Sequence, residues 1–106
     1  MFSRIFLAFF LSFQPSIAQE ISSDTQDCIE DFLFKGGNAP TITDSETRRI
    51  GEIRENFDAM RESLSNLANN TVVLDARGEV LSFRRFRRDE VLYTAVFLCL
   101  DKNGPK

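Results

Sequence analysis

Residues 90–100 read EVLYTAVFLCL, and how this run folds decides the architecture of the chain. Only Glu90 and Thr94 in it are not apolar. Laid out as a strand, one face carries Val91, Tyr93, Ala95, Phe97 and Cys99, and the other carries Leu92, Thr94, Val96, Leu98 and Leu100. A short apolar run of this kind is compatible with a buried helix as well, because periodicity cannot separate the two. Its β-branched and aromatic content favours a strand. As the last strand of a sheet it would lie at an edge, with open backbone groups and an apolar row, Leu92, Val96, Leu98 and Leu100, that needs cover. That row is one candidate interface; the alternative is that helices on both sides of the sheet cover it.

Immediately upstream, residues 81–90 read LSFRRFRRDE, four arginines around one phenylalanine. In an extended chain Phe83, Arg85 and Arg87 share one side, and Arg84, Phe86 and Arg88 the other. No face then collects all the charge, and long arginine stems can lie along the surface. The run is a candidate contact for a protein partner or an anion through Arg84, Arg85, Phe86, Arg87 and Arg88. Further back, TVVLDARGEVLSF reads as two short strands around Asp75–Gly78, where Asp opens and Gly closes a type I turn with a bulge. With EVLYTAVFLCL these strands make a three-stranded antiparallel meander. DKNGPK, at 101–106, reads as a frayed tail.

Two helices precede the sheet. In TQDCIEDFLFK, Cys28, Ile29, Phe32 and Leu33 share one helical face, Ser23 or Asp24 can cap the start, and Gly36-Gly37 followed by Pro40 marks the end. The second helix opens at Thr43, with Glu46 three residues on completing a capping box. Ile50, Ile53, Phe57, Met60, Leu64 and Leu67 follow at alternating spacings of 3 and 4, a long apolar seam that Asn69-Asn70 ends. The seam suits packing on the sheet, or a coiled coil with a second copy. The expected fold is α+β: two N-terminal helices, the second one long, then the three-stranded meander.

The N-terminus has a different character. One cation, Arg4, precedes the apolar run Ile5–Phe13, and Ser16-Ile17-Ala18 places small residues before a cut at Gln19. This is the build of a secretory signal peptide over 1–18, too short an apolar run to span a bilayer. The remainder, 19–106, is one small domain. It retains Cys28 and Cys99, and an even cysteine count in an exported chain reads as a disulfide. The bridge would close a loop of about 70 residues and contribute roughly 4 kcal/mol in the chain-entropy model.

Charge and composition narrow the function. Net charge is −3, and loss of Arg4 with the leader makes it −4, against a dedicated nucleic-acid binder. The acids Glu20, Asp24, Asp27, Glu30 and Asp31 cluster near the start of the domain. A disulfide-linked first helix could bring them beside the arginines and neutralise them. These acids lack the spacing of a calcium loop, so no metal is expected. Asn69-Asn70-Thr71 is a glycosylation sequon only in a eukaryotic source. There is no His, no triad pattern and no phosphate loop, so the expectation is no enzyme and no cofactor. The sequence therefore points to a small exported domain, periplasmic or secreted, that binds another protein: an inhibitor, an adaptor or an envelope-complex subunit, or a homodimer. Membrane contact would be through the leader alone. The alternatives are a module for a polyanion or lipid headgroup built on the arginines, and a self-associating protein built on the long helix.

Overall fold

A computed structural model describes residues 21–103; the expected signal peptide at 1–18 lies outside the described residues. Four helices and one hairpin follow in order: α1 (Ser23–Lys35), α2 (Asp44–Glu55), α3 (Phe57–Thr71), β1 (Val72–Leu74), β2 (Val80–Phe83) and α4 (Arg88–Asn103). The expected third strand is therefore a helix, and the sheet has two strands rather than three. The reason lies in burial. Val91, Leu92, Ala95, Val96, Cys99 and Leu100 are all buried, with Tyr93, Phe97 and Leu98 half-buried. A helix covered on nearly every side needs apolar residues all round, which erases the stripe that normally betrays a helix. The edge row expected at Leu92, Val96, Leu98 and Leu100 is instead packed inside the protein, except for Leu98. The residues 101–103 continue α4 and are not a frayed tail.

α4 is the axis about which the others pack. Its Val91–Ala95–Cys99 row meets α1, where Cys99 is bonded to Cys28 with the Cα atoms 5.9 Å apart. Phe97 stacks on Phe57 of α3, ring centroids 6.0 Å apart. At the far end Arg61 holds Asp101 at 2.8 Å and lies 4.7 Å over the Phe57 ring. The core is completed by Ile29 and Leu33 of α1, Ile50 and Ile53 of α2, and Phe57 and Leu64 of α3.

The long helix divides in two. The apolar seam runs on without a slip, but Asn56 leaves helical geometry at φ −112° and ψ 24°. Its side-chain amide donates to the Glu52 carbonyl at 2.8 Å, competing with the regular ladder. At the other end α3 passes through Asn69-Asn70 to Thr71, whose hydroxyl donates to the Leu67 carbonyl at 2.8 Å. The chain then enters β1 with no linker.

Of the local signals at the other termini, the α2 cap and the α1 stop behave as the sequence suggests, and the α1 cap is shifted. Thr43 and Glu46 form the capping box in both directions. α1 is capped one residue earlier than expected, by the Ser22 hydroxyl accepting from Thr25 N–H. It ends with Gly37 at φ +83°, its N–H donating to the Phe34 carbonyl and that of Asn38 to the Leu33 carbonyl. Gly36 is needed for a different reason: a Cβ there would sit 2.9 Å from Val91 Cγ1 and 3.0 Å from Phe83 Cε2. In the hairpin, Gly78 at φ +83° closes the turn on the Asp75 carbonyl, and the Asp75 carboxylate accepts from the N–H groups of Arg77 and Glu79.

Candidate functional site

The arginine run is mostly consumed by the fold. The strand ends at Phe83, so the alternation of faces does not continue to Arg88. Phe83 instead stacks on Phe86 at 6.0 Å and meets Phe32 edge-on at 5.2 Å, an aromatic ladder from α1 to the surface. Arg88 is structural. Its Nε and Nη2 donate to the two carboxylate oxygens of Glu46 at 2.7 and 3.0 Å, and Nη1 and Nη2 donate to the carbonyls of Ala39 and Thr41. One guanidinium thus ties the start of α4 to the loop before α2 and to its capping box. These hydrogen bonds hold the Glu46 carboxyl down at about 2; burial opposes them and the Thr43 N–H assists. The same pairing raises the Arg88 guanidinium further.

Arg85 pairs with Glu90 at 3.1 Å and Arg87 with Asp89 at 3.2 Å. The neutralising acids are therefore Glu46 and the first turn of α4. They are not the acids of α1, where Asp31 pairs with Lys35 of the same helix. Arg84 is exposed and its guanidinium has no partner among the described residues; Phe86 beside it is 59% exposed. What is left of an anion site is one free arginine and one aromatic ring.

A second feature has no precursor in the sequence reading. A groove of about 690 Å³ opens between the hairpin and the seam where α1 meets α4. From α1 it is lined by Cys28, Asp31, Phe32 and Lys35, spaced so that one helical face is presented. Phe97, Leu98, Cys99 and Asp101 of α4 form the rest of that wall, so the disulfide lies in it. The facing wall is the hairpin, with Leu74 and the continuous stretch 77–83. The register explains one prominent side chain there. Val73 faces Ser82 but Leu74 faces Val80, so Leu81 is an extra residue, a bulge, and it is left 66% exposed. The hairpin and α1 were both legible, but their juxtaposition follows from α4 being a helix.

Among the described residues no group of three or more His, Cys, Asp or Glu is placed to hold a metal. No helix among them is long and apolar enough to cross a membrane. Among the described residues the fold and site define a small unit of four helices stapled by a disulfide and flanked by a two-stranded hairpin over an open groove. No family model, curated protein or solved structure matches the chain.

Proposed function

We propose that the protein is a small exported binding domain without catalysis of its own, and that the groove between the hairpin and the α1–α4 seam receives another protein. The observation that carries this reading is the groove's lining. Phe32, Phe83, Phe97, Leu74, Val80 and Leu98 offer aromatic and aliphatic surface, with Asp31, Lys35, Arg77, Glu79 and Asp101 among them. Aromatic surface combined with charged groups suits a protein interface, where aromatic anchors sit in a patch with a polar rim. The exposed Leu81 adds an anchor on the hairpin side. The bonded cysteines support export, since such bridges persist in oxidising compartments.

The two other readings have less to stand on. Three of the four arginines already hold carboxylates, so a polyanion would compete with internal partners. The seam of α2 and α3 is spent inside the protein: Ile50, Ile53, Phe57 and Leu64 belong to the core. A photo-crosslinking amino acid at position 81, compared with one at exposed Glu62 on α3, tests the proposal in the native host. A discrete protein adduct from 81 and none from 62 is the expected result. Absence of any adduct from position 81 in folded protein refutes it. The mass of the native protein tests export separately: it should begin at Gln19, and a retained Met1 refutes cleavage.

A further inference from the structure

We infer that the partner enters this groove as an added β-strand along β2, and is therefore an extended peptide with apolar residues at alternate positions. The inference rests on the groove being a protein-binding site. Among the described residues each strand of the hairpin has a neighbour on one side only. Residues 78–83 line the groove without interruption. An unbroken stretch brings the backbone of β2, and not one row of side chains alone, to the groove.

The ladder indicates where open backbone groups lie. The Arg84 N–H donates to the Thr71 carbonyl at 2.7 Å. Opposed residues in an antiparallel pair alternate between exchanging such bonds and turning away. Phe83, one residue earlier and opposite Val72, thus turns its N–H and C=O away from β1. An extended backbone is the ligand whose own N–H and C=O match such an edge. Its side chains would alternate, one row meeting Phe97, Leu98 and the disulfide, the other facing water. The four residues of β2 at about 3.3 Å each give an edge about 13 Å long, enough for a short segment.

The experiment is to pan a random decapeptide phage library on the oxidised protein and synthesise the enriched sequence. Enriched peptides should alternate apolar and polar residues and lose affinity for Leu81→Glu, a change at an exposed site. Methylating alternate backbone amides of the peptide should weaken binding by about tenfold or more, as two or so hydrogen bonds are lost. Binding that is sensitive to Leu81→Glu but indifferent to N-methylation overturns strand addition and leaves the groove standing. No enrichment, or binding indifferent to Leu81→Glu, overturns the groove itself. A dimer in gel filtration that Leu81→Glu dissociates assigns the edge to a second copy and overturns the peptide.

Discussion

Replacing Arg88 by Ser should destabilise the protein by about 2–3 kcal/mol. Its side chain is 31% exposed and that of Glu46 only 11%, so the pair sits at the margin of the core. Removing one partner of a buried pair costs roughly 3–5 kcal/mol, and partial exposure of Arg88 lowers that figure. The carboxyl supplies an independent ceiling. Its value falls from 4.5 to about 2 on folding, and at about 1.4 kcal/mol per decade this corresponds to roughly 3 kcal/mol. Because the folded value lies below the unfolded one, this stability is present above about pH 4.5 and is lost as pH falls towards 2. Urea unfolding at pH 7 and at pH 3 should show wild type losing part of its advantage over Glu46→Gln in acid. The double variant Arg88→Ser/Glu46→Gln should be less destabilised than the two single changes added together. Arg84→Ser, at an exposed and unpaired position, should stay within about 0.5 kcal/mol of wild type. If Arg88→Ser is as mild as Arg84→Ser, the guanidinium does not tie α4 to the α2 cap, and the structural reading of Arg88 fails.

Three further outcomes can be checked by the same unfolding measurements. Cys28→Ser/Cys99→Ser should lose about 4 kcal/mol, the loop-closure value for a separation of 71 residues, and an unchanged midpoint would contradict it. Leu92→Ala, at a fully buried position of α4, should cost about 2–5 kcal/mol, whereas Leu81→Ala should cost under about 0.5; equal costs would mean that residue 92 is not in the core. Thr94 has a buried hydroxyl with no hydrogen-bond partner among the described residues, so Thr94→Val should stabilise by about 1 kcal/mol, and a loss of that size would show that the hydroxyl is satisfied.

Much of this protein is written in short-range terms. The Thr43–Glu46 capping box, the Gly36-Gly37 stop and the Asp75–Gly78 turn depend on residues within a few positions of one another, and each appears where the sequence places it. The apolar seam from Ile50 to Leu64 was legible because one side of those helices faces the core while the other faces water. The Cys28–Cys99 pairing was legible by counting, since two cysteines allow one internal pairing. The identity of EVLYTAVFLCL was not legible in this way. Surrounded by α1, α2 and α3, it needs no polar face, and a segment without a polar face carries no period to read. Its length was the available hint, because eleven residues exceed an ordinary strand.

The functional surfaces divide along the same line. By itself the sequence determined the Thr43–Glu46 cap, the turn, the disulfide and the arginine-rich composition of residues 84–88. Tertiary structure alone decided that Arg88 serves the fold, because its acceptors Glu46, Ala39 and Thr41 lie more than forty residues away. It also decided that the open surface is a groove over the disulfide. That surface exists only where a helix, buried on nearly every side, holds α1 beside a hairpin whose strands, among the described residues, pair only with each other.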